Sequence, residues 1–217
     1  MENDKKEIKK ITSKIVSWKV SSKEDKKETL SRPTEIQFVQ APKRPSELEC
    51  DIKKAKIHGE AWTLFVGLLN GRPYEIFGGL SKFVDIPNRL KTGKIVKGKK
   101  IDGIAVYNLI LGEGEDEMTI KDIASVFENT TNGAFTRTIS LALRHGVPIQ
   151  YVCEQLLKDK HSDMTSFTKV ISRVLKSYIK DGTKVSSQQK CESCGEEGTL
   201  IYKEGCLTCT CGYSKCS

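Results

Sequence analysis

The stretch Trp62-Thr63-Leu64-Phe65-Val66-Gly67-Leu68-Leu69, Asn70-Gly71, Arg72-Pro73-Tyr74-Glu75-Ile76-Phe77-Gly78 decides the fold. Two runs rich in aromatic and branched residues flank an Asn-Gly pair. A two-residue type I′ turn needs positive φ at both central positions, which Asn and Gly tolerate, so the stretch predicts a β-hairpin. Pro73 has no N–H to give to a ladder and belongs at the start or the edge of its strand. Downstream, Lys94–Lys97 and Ile104–Leu111 read as a second pair of strands, with Gly98-Lys99-Lys100 between them. Upstream, Ala41-Pro42-Lys43-Arg44-Pro45-Ser46 carries two prolines in six residues and reads as a linker.

From Met118 the apolar period becomes helical. Ile120, Ile123, Ala124 and Phe127 predict a short helix, with Thr119 as its cap and Asp122 three residues on. Phe135, Ile139, Leu141, Ala142 and Leu143 predict a second helix, ended by Gly146. Pro148 suits the first turn of a third, whose apolar positions are Ile149, Val152, Cys153, Leu156 and Leu157. Phe167, Val170, Ile171, Val174, Leu175 and Ile179 form a helical stripe that stops at Asp181-Gly182. These stripes are core faces. The predicted fold is α+β: a small antiparallel sheet with helices packed on it.

The chain has 217 residues, 29% of them charged and 37% hydrophobic, with a formal net charge of +8. Its mean hydropathy is −0.40 and its sequence pI is about 9.0. That is enough material for one real core. No run of about 18 apolar residues occurs, so a membrane span is excluded. Met1–Lys10 is rich in Lys and Glu and has no apolar core segment, so a secretory signal is not expected and a cytoplasmic location is. The basic balance favours an anionic contact without choosing between nucleic acid, nucleotide and an acidic protein face. Residues 1–43 read as a flexible basic arm, largely disordered, with a short amphipathic helix through Ile11, Ile15 and Trp18. The expected organisation is this arm, an α+β domain over 44–182, a polar linker over 183–190 and a cysteine-rich module over 191–217.

Six of the eight cysteines fall in the last 27 residues: Cys191, Cys194, Cys206, Cys209, Cys211 and Cys216. In a cytosolic chain such clustering reads as metal ligation or redox thiols. Cys191-Glu192-Ser193-Cys194-Gly195 is a CxxCG turn, which sets two thiolates on one side of a tight loop. A second such knuckle, joined by a short hairpin through Thr199–Tyr202, makes a tetrahedral four-sulfur site that suits Zn²⁺. The return knuckle has two readings. Cys209-Thr210-Cys211-Gly212 has the glycine but one residue fewer between its cysteines. Cys206-Leu207-Thr208-Cys209 has the spacing but no glycine. The ligand set preferred here is Cys191, Cys194, Cys209 and Cys211. Cys206 and Cys216 are then left over as redox candidates. So small a module gains its stability from the metal. Cys50 and Cys153 read as buried apolar residues. His58, His145 and His161 read as surface or packing residues, and Gly112-x-Gly114 as a plain loop.

Several of these stretches resemble one family. They are Arg44-Pro45 through Cys50-Asp51-Ile52, Gly67-Leu68-Leu69-Asn70-Gly71-Arg72-Pro73-Tyr74-Glu75-Ile76-Phe77, Ile139-Ser140-Leu141-Ala142-Leu143-Arg144-His145-Gly146-Val147-Pro148-Ile149 and Cys211-Gly212-Tyr213-Ser214-Lys215-Cys216. Over roughly residues 44–217 the chain resembles the C-terminal region, TSCPD-like with a zinc-ribbon and redox tail, of adenosylcobalamin-dependent (class II) ribonucleoside-diphosphate reductases. The resemblance implies a tail cysteine pair that re-reduces the active-site disulfide left by each turnover, and a thioredoxin-like protein that restores the tail. Cys216 and Cys206 take that role here, and Lys215 is expected to raise the thiolate fraction of Cys216. The chain matches neither the catalytic barrel nor a cobalamin site. It is therefore expected to be a separate accessory piece, inactive alone, that meets adenosylcobalamin only through a class II catalytic subunit. The alternative expectation is a basic zinc-ribbon module that binds nucleic acid through its lysines.

Overall fold

In the computed structural model the described residues are 40–127, 130–158, 163–185 and 189–216. The helix expected through Ile11–Trp18, most of the arm and His161 lie outside them. All described residues belong to one compact unit, Val39–Ser217. Six strands form an antiparallel sheet: β1 (Glu47–Ile57), β2 (Glu60–Leu69), β3 (Arg72–Leu80), β4 (Thr92–Lys97), β5 (Tyr107–Leu111) and β6 (Met118–Ile120). Their spatial order is β3-β2-β1-β4-β5-β6. Three helices follow, α1 (Thr130–Arg144), α2 (Ile149–Leu157) and α3 (Phe167–Lys176). A three-stranded antiparallel sheet follows them: β7 (Leu200–Lys203), β8 (Cys206–Cys209) and β9 (Ser214–Lys215). The class is α+β, as the alternation of periods predicts.

The Asn-Gly hairpin forms β2 and β3, with φ of 52° at Asn70 and 73° at Gly71. Pro73 lies on β3, an edge strand, where its missing donor costs no ladder bond on the outer side. The sequence reading leaves β1 unassigned, yet β1 pairs with both β2 and β4. Its buried residues Leu48, Cys50 and Ile52 alternate with exposed or half-buried Glu49 and Asp51. Three lysines and three acids in the same run mask that period of two. A second difference concerns Met118–Phe127. Met118–Ile120 pairs with β5 as β6, and residues 123–127 are turns rather than a helix. Asp122 has φ of 45°, which no helix interior accepts, and the Ile123 N–H goes to the Tyr107 carbonyl. The apolar spacing at 120, 123, 124 and 127 therefore serves a strand end and a packed turn. The stripe through Ile179 also outruns its helix, since α3 ends at Lys176 and Ile179 is buried in the turn that follows.

Both faces of the large sheet are covered. On one face Trp62, Leu64, Val66 and Ile76 meet the helices through Ile139, Leu143, Val152, Val170, Ile171 and Leu175. On the other, Cys50, Ile52, Phe65, Ile95, Leu109 and Leu111 are closed over by Val84, Ile86, Ile123 and Phe127. Gly79 makes room for this cover, because a Cβ there would stand 2.3 Å from the Phe127 ring. Helix α1 also seals the free edge of β3. The Ser140 hydroxyl accepts from the Ile76 N–H at 2.9 Å, donates to the Thr136 carbonyl at 2.7 Å and lies 3.3 Å from the Ile76 carbonyl. The outward peptide groups of Ile76 on this edge are thus satisfied by a side chain.

One buried charge organises three segments. The Glu75 carboxylate is fully buried on β3. Arg44 donates to it twice, at 2.6 Å from Nη2 and 3.0 Å from Nε, and Arg144 at the end of α1 donates at 2.9 Å. Gly67 opposite lets the acid lie across β2, since a Cβ there would meet Glu75 Cγ at 2.8 Å. Charges this far from water persist only when paired and hydrogen-bonded. Glu75→Ala would strand two guanidinium groups and should cost about 3 kcal/mol of folding free energy. Urea unfolding measures it; a loss below about 1 kcal/mol would show that the network contributes little.

Candidate metal centre and cysteine pair

The cysteine-rich segment is built against the helices. After α3 the backbone turns at Gly182 (φ 81°) and runs alongside β7. Gly182 and Val185 donate to the Tyr202 and Leu200 carbonyls at 2.8 and 3.2 Å, and Tyr202 donates to Thr183 at 2.9 Å. The stretch expected as a polar linker therefore contains paired backbone and a buried residue, Val185. Leu200 and Tyr202 join the core that holds Val152, Cys153 and Leu175.

Two tight turns present four thiols. In the first, the Gly195 N–H bonds the Cys191 carbonyl at 2.9 Å with Gly195 at φ 73°, and the Ser193 N–H points at the Cys191 sulfur at 3.4 Å. In the second, the Gly212 N–H bonds the Cys209 carbonyl at 3.0 Å with Gly212 at φ 91°. Glycine suits both because these turns use the left-handed region, which it enters without steric cost. The sulfurs of Cys191, Cys194, Cys209 and Cys211 all lie within 4.8 Å of one another and could hold a metal ion. The Cys191–Cys211 and Cys194–Cys209 sulfur pairs stand 3.7 and 3.8 Å apart. The Cys211 backbone N–H, then the Thr199 hydroxyl, bring the Cys209 thiol down to about 6.

Cys206 is not in this cluster. It starts β8 and is disulfide-bonded to Cys216, which follows β9. Leu207 pairs with Lys215 and Thr208 with Ser214, so the next position outward sets Cys206 opposite Cys216. Cys216 is exposed and Cys206 half-buried. The Lys215 ammonium, expected to act on Cys216, is held by Glu192 at 2.6 Å. Tyr213 donates to the other oxygen of the same carboxylate. Glu192 lies inside the first knuckle, so it joins that knuckle to the last strand. Sequence spacing alone gave no sign of this clamp. Nor did it reveal the Arg44–Glu75–Arg144 network, although its three residues lie in or beside the quoted motifs.

Two cavities accompany these features. One of about 640 Å³ lies between β3, α1, the start of β5 and the turns after β6, with Phe77, Tyr107, Leu141, Arg137 and Arg144 among its lining residues and no acid. A smaller one of about 280 Å³ lies where α3 meets the cysteine segment, and Lys169, Lys176, Lys190 and Lys215 line it. His58 and Asp163 form an exposed pair at 3.4 Å. No helix among the described residues is long and apolar enough to cross a membrane.

Cys50 and Cys153 sit apart in the two cores. Burial pushes the Cys153 thiol up to about 11 and the Cys50 thiol higher still, the latter with help from the Asp51 and Glu75 charges. Neither forms appreciable thiolate at pH 8. Iodoacetamide at that pH should leave both unmodified in the native protein, as read by peptide mass spectrometry. Labelling of either within minutes would contradict this placement.

Comparison with known proteins adds the family. No curated protein and no solved structure matches the chain. A family model described as the NrdJ homologue C-terminal domain matches residues 48–180, from β1 to the turn after α3. The match covers more than half of the 217 residues and ends before the cysteine segment. The chain therefore belongs to the NrdJ homologue C-terminal domain family, a region related to class II ribonucleotide reductases.

Proposed function

We infer that this chain is an accessory piece of an adenosylcobalamin-dependent ribonucleoside-diphosphate reductase, in which Cys216 and Cys206 re-reduce the active-site disulfide of a catalytic subunit. The observation that carries this reading is the division of six clustered cysteines into a four-thiol group and a separate cross-strand pair with one exposed sulfur. The family supports the link to a class II catalytic subunit.

The four-thiol group fits zinc. A tetrahedron with zinc–sulfur bonds of about 2.3 Å has sulfur–sulfur edges of about 3.8 Å. The Cys191–Cys211 and Cys194–Cys209 pairs measure 3.7 and 3.8 Å, and all four sulfurs lie within 4.8 Å of one another. Cys191, Cys194, Cys209 and Cys211 would hold the ion, which supplies folding free energy rather than chemistry in a closed four-sulfur site.

The exchange runs through this chain's own sulfurs. With the pair reduced, the Cys216 thiolate attacks one sulfur of the active-site disulfide and expels the other as a thiolate. Cys206 then attacks the Cys216 sulfur of the mixed disulfide and releases the second active-site thiol. Two thiols of this chain become the Cys206–Cys216 disulfide. Two electrons and two protons pass to the active site. A thioredoxin-like dithiol returns both through the exposed Cys216 sulfur. Carrying the pair on a docked module keeps its effective concentration at the active site high.

Reconstitution tests the reading. A candidate catalytic subunit with adenosylcobalamin and thioredoxin should turn over ribonucleoside diphosphate faster on adding this chain. Cys216→Ser should abolish the stimulation. Equal stimulation by the variant removes the redox role.

A further inference from the structure

The last strand of the cysteine segment is tied to both knuckles. Its tie to the second is covalent. The Cys206–Cys216 bond closes a ring of chain around β8, the Cys209–Gly212 turn and β9, and two of the four cluster thiols, Cys209 and Cys211, lie inside that ring. Its tie to the first is polar. Glu192, between Cys191 and Cys194, takes Lys215 on one carboxylate oxygen and Tyr213 on the other. β9 itself is only two residues long, with two ladder pairs to β8. So short a strand holds its register weakly without a further constraint. An ion on the four thiols fixes the second knuckle from the turn end, and the disulfide fixes it from the open end.

We propose that the metal cluster and the Cys206–Cys216 disulfide are thermodynamically coupled: the closed disulfide tightens metal binding, and bound metal makes the disulfide harder to reduce. The inference rests on the reading that the cluster binds zinc and that the pair is redox-active, but it does not depend on any partner enzyme. The physical cause is shared ordering. Closing the ring removes conformations of the metal-free knuckle that the ion would otherwise have to freeze out. An ion on Cys209 and Cys211 in turn holds β8 and β9 together and keeps Cys206 opposite Cys216. Reduction consumes one dithiol and yields two protein thiols and the oxidised reductant, so two electrons and two protons cross. Linkage requires the two effects to be equal in size. The two ladder pairs and the Glu192 clamp already restrain this segment, so only part of the ring-closure entropy is available. The expected factor is roughly tenfold, equivalent to about 30 mV on a two-electron couple.

Two measurements on the full chain test it. In the first, zinc affinity is read by chelator competition, without reductant, for the disulfide-bonded protein and for Cys206→Ser/Cys216→Ser. The variant should bind roughly tenfold more weakly. Equal or tighter binding by the variant overturns the proposal. The second uses unmodified protein only. Anaerobic glutathione buffers poise the pair with zinc bound and with zinc chelated, and acid quench with alkylation reads the Cys206–Cys216 bond by mass spectrometry. Zinc should shift the midpoint toward resistance to reduction by the same factor, and an unchanged midpoint contradicts the coupling. Zinc that fails to bind the unmodified protein at all would instead reject the metal reading itself.

Discussion

The register of β8 and β9 is the constraint on which the cysteine chemistry depends. Pairing Leu207 with Lys215 and Thr208 with Ser214 leaves Cys206 facing Cys216 across the open end. The same register puts Cys209 and Cys211 at the closed end, where Gly212 turns the chain back. A slip of one residue would invert every side chain between the two faces. It would also move Cys216 away from Cys206. The short C-x-C-G spacing, one residue under the usual knuckle, is therefore compatible with both a four-thiol cluster and a cross-strand pair. Tyr202 and Leu200 anchor the neighbouring strand in the helical core, so the small sheet is not left to stabilise itself.

The larger sheet provides that anchor. Its two faces are buried by different means, helices on one and packed turns on the other. On its edge strand β3 the Ile76 peptide groups are capped by Ser140, and its deeply buried acid Glu75 is satisfied by guanidinium groups from two distant segments. Residues from separate stretches of the sequence thus converge. Arg44, Glu75, Ser140 and Arg144 all sit at the junction of β3, the chain before β1 and helix α1. A cavity of about 640 Å³ opens beside this junction.

Parts of this were readable from the sequence because the signal was local. Asn70-Gly71 fixes a turn through φ alone, and the Val170, Ile171, Leu175 stripe needs only one period. The Cys191–Gly195 knuckle is likewise set by five consecutive residues. The remainder was illegible where the signal was long-range or masked. β1 carries its period of two under a run of lysines. Met118–Phe127 has helical spacing, but Asp122 takes a left-handed backbone and splits the run into a strand and a turn. Glu75 looks like any strand acid until Arg44 and Arg144 are brought to it from 31 and 69 residues away. The Glu192 clamp is hidden for the same reason, since 23 residues separate it from Lys215.

The central claim is that sulfurs so close in sequence occupy two chemical states. Timed alkylation of zinc-loaded protein, followed by peptide mass spectrometry, tests it most directly. A phosphine reductant alone should expose Cys206 and Cys216 while Cys191, Cys194, Cys209 and Cys211 stay protected until a chelator is added. Simultaneous labelling of all six on reduction, with zinc still bound, would contradict the account.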